Sequence, residues 1–413
     1  MTVSRRNLLL GAGALSLAPH ALADPAPPAA SGADTALPNK AGFAVPAVTY
    51  LDAGSQHPIS LGAQAAAQRY LAQRTLDPAA AGFERNDDGV REKYARLVNA
   101  DVEEVAFVQS TTTAEQMFLK ALGIPESGGR IVTDTLHFFG SLPLYAEMAK
   151  QGMEVAWVRE RDGRIPLEDM RQAIRPGTRL VALSLVSTIN GFEHDLKAVC
   201  DMAHEVGALV YADIIHAVGC MPVDLHGSGV DLAAGASYKW LMGEFGLGFL
   251  YVRKDVLPRL QRVNYGYYGM SAFASHIYPY DEPGDTIVDY AFRDDATGSF
   301  ALGTHAHTPI AILDHSLDYL LRVGVETIQA HARPLTQRLK EELPERGFQL
   351  ITPPESRAPM VACALPNARE AVGGKLDEAG VKITLSRNRF RASVSVFNDM
   401  ADIEMLLAAL GRA

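Results

Sequence analysis

From about Tyr50 onward, short runs rich in β-branched and aliphatic residues alternate with stretches of helical period, and few folds accommodate that alternation. Strands are expected at Val105–Val108, Ile131–Thr133, Val155–Val158, Leu180–Leu185, Ala208–Ala212 and Phe249–Val252. Between them, helical period runs over Ala114–Leu122, Leu144–Gln151, Leu167–Ile174 and Leu196–Val206, the last stopped by Gly207. Alternating strands and helices imply an α/β fold with a mainly parallel sheet. Ligands of such sheets collect at the carboxyl ends of the strands, so the residues that follow each strand carry the most functional weight. A chain of 413 residues suggests two domains, or three. Its 48% hydrophobic and 21% charged composition is that of a soluble globular protein, which argues against disordered, collagen-like and coiled-coil classes. A net charge of −10 without a basic stripe gives little support to a nucleic-acid or membrane-surface partner.

The N-terminus reads as an export signal. Ser4-Arg5-Arg6-Asn7-Leu8-Leu9 leads into a mildly apolar run to Leu22 that is too short and too rich in Gly and Ala to span a bilayer, and Ala21-Leu22-Ala23 fits cleavage after Ala23. A twin-arginine signal carries folded proteins, commonly ones that have already taken up a cofactor, so a periplasmic protein with a cofactor site is expected. Residues 24–47 are rich in Pro, Ala and Gly without hydrophobic period and read as a linker or N-terminal arm. Three scattered cysteines exclude a disulfide framework or a metal cluster. Cys200 and Cys363 lie in apolar runs as small buried hydrophobes, and no metal site is expected.

Four weak signals lie after the expected strands. Ser110-Thr111-Thr112-Thr113 opens a helix after Val108 and offers hydroxyls and amides to a phosphate, although a Thr run there is also ordinary N-capping. His137 follows the strand at Ile131 and can stack on a flat ring. Asp213 ends the apolar run GALVYAD, where an unpaired carboxylate is costly, and His216 lies three residues on. Lys239 lies between Tyr238 and Trp240 ahead of a Gly-rich turn. A phosphate cradle, a ring-facing residue, a buried acid and an embedded lysine are what a pyridoxal 5′-phosphate (PLP) site requires. The lysine forms the Schiff base, and the acid keeps the pyridine nitrogen protonated.

From Thr49 to the C-terminal segment FRASVSVFNDMADIEMLLAAL, the chain resembles class V aminotransferase-like enzymes of PLP fold type I. The block STINGFEHDLKAVCDMAHEVGALVYADIIHAVG followed by DLAAGASYKWL carries most of the likeness. The resemblance implies a large PLP-binding domain over 48–308, with a substrate-entrance segment at 264–300, and a smaller α+β domain over 309–413. It also implies roles for individual residues. Lys239 is the Schiff-base lysine and Asp213 the pyridinium partner, with His216 near the ring and His137 stacked on it. Ser110, Thr111, Thr112, Ser237 and Tyr238 match the phosphate region, Thr188 faces the phenolic oxygen, and Gly303-Thr304 reach the phosphate of a neighbouring subunit in a homodimer. Arg391 grips the substrate α-carboxylate, for which a guanidinium fork is suited, and Arg389 faces the same side of its strand.

Departures narrow the subgroup. Cysteine desulfurases of this class need a cysteine on a mobile loop, whereas Cys363 lies in a strand-like run, so that activity is not expected. Tyr238 before the lysine and His216 after the acid resemble the epimerase- and kynureninase-related subgroup. Thr188 replaces a common Asn, for which Asn190 could substitute if the turn shifts. Tyr267, Tyr268, His276 and Arg293 are candidates for the substrate entrance, in a segment that equally suits a dimer contact. The expected activity is aminotransferase-type chemistry on an amino acid or an amino-acid side chain. Epimerase, lyase and oxygen-using deaminase or decarboxylase outcomes stay open, as does a PLP-binding protein without turnover. Exported PLP proteins of this kind resemble the periplasmic enzymes that tailor a side chain of pyoverdine-type peptide siderophores, which would make the twin-arginine machinery a partner.

Overall fold

A computed structural model describes residues 35–44, 48–76 and 86–413. The expected export signal, its cleavage site and most of the linker lie outside the described residues. Strand β1 (Thr49–Tyr50) is followed by the seven strands of a large sheet: β2 (Val105–Val108), β3 (Arg130–Asp134), β4 (Glu154–Val158), β5 (Thr178–Ser184), β6 (Leu209–Asp213), β7 (Leu232–Ala236) and β8 (Gly248–Val252). Their spatial order is β2-β8-β7-β6-β5-β3-β4, and only β8 runs against the rest. Helices cover both faces, which is why β6 and β7 are buried along their whole length instead of alternating with solvent. One core layer includes Val181, Val210, Trp240 and Phe249, with Tyr94 stacked on Phe249 at 3.8 Å between ring centroids. The opposite layer includes Phe118, Tyr145, Tyr211 and Leu250.

All six expected strands are present, β2 with the expected ends and the other five with one or both ends moved by one or two residues. β7 has no counterpart in the sequence reading, because LAAGA holds no β-branched residue to mark it. Its small side chains let β8 approach closely. A Cβ on Gly248 would lie 2.7 Å from Ala236 Cα.

Within 264–300, β9 (Met270–Ser275) and β10 (Val288–Phe292) form an antiparallel hairpin, which periodicity did not reveal because its faces are largely exposed. The second layer of the molecule is a four-stranded antiparallel sheet of β11 (Gln349–Leu350), β12 (Met360–Ala364), β15 (Arg389–Ser393) and β14 (Thr384–Leu385). β1 pairs in parallel with β13 (Val381–Lys382) beside that sheet. The expected domain boundary at 308/309 falls at the start of the helix Thr308–Val323, whose Ile310, Leu313, Leu317 and Leu320 pack into the large core. Packing passes to the small core along the next helix, Val325–Glu345, where Ile328 still faces the large core and Ala332, Leu335 and Leu339 face the small one.

Candidate active site

β2, β3, β5, β6 and β7 all end at one edge of the large sheet, and each delivers a polar side chain there. Asp213 is the last residue of β6, in register with Ser184 at the end of β5. Its Oδ1 accepts the Ile215 amide at 3.0 Å, while Oδ2 lies 3.4 Å from the Ser184 hydroxyl. Burial raises its carboxyl above the ordinary range, although the Ile215 amide, His137 and Lys239 pull it back. Such an acid is completed by a cation brought to it.

Lys239 lies three residues past β7, in a turn closed by the bonds from the Met242 amide to the Lys239 carbonyl and from the Gly243 amide to the Ser237 carbonyl, both 2.8 Å. A neighbouring turn must come very close to hold it. Gly219, at φ +94°, would place a Cβ 2.4 Å from the Trp240 carbonyl oxygen, so no side chain fits there. The Lys239 Nζ lies 2.9 Å from His216 Nε2. Burial pulls this amine down to about 8, Arg391 adds to the fall, and Asp213 and Asp52 oppose it. A lysine so placed is substantially neutral near pH 8 and can attack an aldehyde. Burial also holds His216 well below its usual value, with Lys239 and Arg391 adding to the effect. The neutral ring therefore accepts the Lys239 proton at Nε2 and carries its own at Nδ1, a buried donor with no acceptor among the described residues.

Ser110 caps the helix Thr111–Ala121, accepting the Thr113 amide at 3.2 Å, so the first-turn amides point away from the helix body at its positive end. The Thr111 hydroxyl accepts the Ala236 amide at 3.0 Å, which ties this helix start to the lysine turn, and Thr112 is exposed beside it. Two expected phosphate contacts sit differently. The Ser237 hydroxyl lies 2.8 Å from the Glu244 carbonyl and 2.7 Å from that of Leu247, both within the turn, and the Tyr238 ring stacks on Phe245 at 4.4 Å. Gly303 and Thr304 line a separate cleft of about 400 Å³ with Arg91, Gln109, Gly246 and His305, so within one chain they are not brought to Lys239.

Arg391, on β15, reaches across from the small sheet. Its Nη1 donates to the Thr188 carbonyl at 2.9 Å and hydroxyl at 2.7 Å, and its Nη2 to Ser55 and Thr384 hydroxyls at 3.0 and 3.1 Å. These partners are neutral and Asp52 Oδ1 is 4.0 Å away, so burial brings the guanidinium down to about 10. A carboxylate is the kind of group that would supply the missing charge. Thr188 is thus bonded to Arg391, and Asn190 does not replace it, because its amide braces the turn against the Gly163 and Ile351 carbonyls. Arg389 donates to the Ile189 carbonyl at 2.8 Å beside it. His137 has no exposed surface, and both its ring nitrogens are engaged, Nδ1 with Ser184 at 2.8 Å and Nε2 with Glu115 at 3.1 Å. Of the entrance candidates, His276 is bound within its own hairpin by the Glu282 carbonyl and Asp289, Arg293 pairs with Asp295, and Tyr268 lines the Gly303 cleft.

Glu115, Ser184, Ser55 and Asp52 were not singled out from the sequence. Glu115 carried a usable signal, because it falls on the buried stripe of its helix with Thr111, Ala114 and Phe118, where a carboxylate needs partners.

These groups fit PLP: a lysine amine poised for an aldehyde, a buried acid lacking a cation, an unused imidazole donor and a helix N-terminus. The aminotransferase class-V family model matches residues 50–406. A probable cysteine desulfurase of Methanothermobacter thermautotrophicus is 28% identical, the match covering 70% of this chain and 71% of that protein. The kynureninase of Pseudomonas fluorescens is 29% identical, covering 78% of each chain. Among solved structures, the Escherichia coli cysteine desulfurase CsdA aligns with a TM-score of 0.77 at 20% identity, covering 90% of this chain and 96% of that one. The chain therefore belongs to the aminotransferase class-V family, with the fold type I architecture, and is an enzyme whose cofactor is pyridoxal 5′-phosphate.

Proposed function

We propose that this enzyme acts on the amino group and α-carbon of an amino acid or an amino-acid side chain, with aminotransferase-type chemistry. The observation that carries this reading is the pairing of a buried, charge-deficient Arg391 fork with the lowered amine of Lys239. PLP, when bound, supplies an aldehyde and an electron-accepting ring. Lys239 binds the aldehyde and, once released, moves a proton at the substrate α-carbon. Asp213 would hold the proton on the pyridine nitrogen, and His216 would offer its free Nδ1–H to the cofactor. Arg391 orients the substrate through its carboxylate.

Several relatives are named cysteine desulfurases, but all three cysteines of this chain are buried, and burial pushes the Cys363 thiol up to about 12. A buried, protonated thiol does not act as the sulfur-accepting nucleophile, which argues against that activity here. Homodimerisation is part of the proposal. Gly303 and Thr304 line a cleft that takes in Gly246 of the lysine turn but not Lys239 itself, and Leu302 and Phe245 near it are exposed. Export to the periplasm with cleavage after Ala23 rests on Arg5-Arg6 and the Ala-x-Ala ending, and tailoring of a peptide siderophore rests in turn on export.

The test is a single-turnover absorbance experiment on the protein beginning at Asp24. It is mixed with L- and D-amino acids without a keto acid, with and without oxygen. Conversion of the cofactor to its stable amine form, reversed only by a keto acid, establishes transamination. Spontaneous return without an acceptor refutes it, and oxygen dependence then separates an oxidase from an epimerase or lyase.

A further inference from the structure

Next to Asp213 lies a buried polar chain that the chemistry above does not use. Glu115 is 2% exposed, in the middle of an otherwise apolar helix face. Its carboxylate accepts the Tyr145 and Ser141 hydroxyls, each at 2.5 Å, and the His137 Nε2–H at 3.1 Å. His137 Nδ1 lies 2.8 Å from the Ser184 oxygen, which also accepts the Phe138 amide at 3.1 Å and lies 3.4 Å from Asp213.

The Ser184 hydroxyl has one proton to give. If His137 is neutral and holds its proton toward Glu115, Nδ1 is an acceptor and takes the serine proton, and Asp213 receives nothing from Ser184. If His137 carries both protons, Nδ1–H donates to Ser184, and the serine proton turns to Asp213. The charge on one imidazole thus decides whether the buried acid gains a hydrogen bond that favours its ionised form.

We propose that Glu115 is a positioning residue that keeps His137 doubly protonated, so that Ser184 donates to Asp213 and the pyridine nitrogen of the cofactor retains its proton. The surroundings act in this direction. Burial opposes charge on His137, but Glu115, with Asp134 on β3 and Asp213 on β6, outweighs it and raises the imidazole above its ordinary value. Burial likewise opposes charge on Glu115, and His137, Ser141 and Tyr145 together bring its carboxyl below the usual range. The remaining titratable neighbours, Tyr145 and Tyr211, are held well above the usual phenol range by burial, so they stay neutral and do not compete for the proton.

This inference rests on the PLP site and is independent of which reaction follows. The test uses protein carrying ¹⁵N-labelled histidine, with the His137 signals identified by their loss in His137→Asn, first without cofactor and then loaded with PLP. In the wild type both ring nitrogens are expected to show the imidazolium signature at a pH above 6.5, the ordinary histidine value. Glu115→Gln should lower the His137 titration by at least about one pH unit, a tenfold loss of proton affinity, and lower the pH at which the bound cofactor loses its pyridinium signal. Ser184→Ala should leave His137 charged yet shift the cofactor as Glu115→Gln does. Tyr145→Phe, the smallest change to the Glu115 shell, should shift His137 the same way by less, and it serves if Glu115→Gln does not fold. A neutral His137 in the wild type, or one unmoved by these two changes, overturns the proposal. An unshifted cofactor in Ser184→Ala refutes the route through the serine. The cofactor-free arm reads His137 whether or not the enzyme proves to be an aminotransferase.

Discussion

The pH at which Lys239 captures an aldehyde follows from its surroundings. An exposed lysine titrates near 10.5, whereas burial holds this amine at about 8. At pH 7 the neutral fraction is then ~10% instead of ~0.03%, an advantage of about 300-fold for a group that attacks only when unprotonated. Cofactor-free protein mixed with PLP, trapped with borohydride and mapped by mass spectrometry should therefore modify Lys239 with a rate that rises with pH to a plateau, with its midpoint near 8. Two substitutions set the sign. Arg391 disfavours the charged amine, so Arg391→Gln should move the midpoint up. Asp213 favours it, so Asp213→Asn should move the midpoint down. A midpoint near 10, or both variants shifting the same way, would refute the assignment of the lowered value to burial with Arg391 and Asp213 as opposing charges.

Arg391→Lys keeps the charge but loses the fork. One lost charge-assisted bond costs about 1.5–3 kcal/mol, which in steady-state kinetics should raise KM for α-carboxylate substrates ~10- to 100-fold and leave amines lacking a carboxylate little affected. Leu250→Ala, in the middle of β8 with no exposed surface, should lower unfolding free energy by about 2–5 kcal/mol in denaturant titrations, with little change in cofactor affinity. Gly219→Ala meets the Trp240 carbonyl at a strained φ, so it should both destabilise the fold and weaken PLP binding by equilibrium titration, because the turn it displaces holds Lys239. Cys363→Ala should leave turnover unchanged while costing about 1 kcal/mol of stability; loss of activity would reopen a sulfur-transfer role.

What the sequence made legible is what burial and period write into it. β6 could be read because LVYAD is β-rich and ends in a charge, and Asp213 stood out because a carboxylate there must be explained. β7 could not, because LAAGA has the composition of no particular element and is a strand only through its neighbours. The same distinction runs through the site. Lys239, Asp213 and Arg391 are each conspicuous against apolar surroundings. By contrast, the Thr188–Arg391 bond joins residues 203 positions apart, and only the folded chain shows that Thr188 serves the arginine and that Asn190 is occupied elsewhere. Ser184 looks like the polar end of an apolar run until His137, Phe138 and Asp213 converge on its oxygen.

The arginine fork is assembled from segments far apart in the chain, with Thr188 on one side and residues near Asp52 and Arg391 on the other. Asp52 and Ser55 follow β1, Thr384 and Arg391 lie on β14 and β15, and Asp52 bridges to Ser393 beside them. A ribosome therefore makes the lysine and its acid well over a hundred residues before it makes the arginine proposed to orient the substrate. A chain truncated anywhere between them can retain the residues that take up the cofactor but has no carboxylate grip. The proposed carboxylate grip therefore needs the C-terminal sheet, which follows the lysine and its acid in the chain.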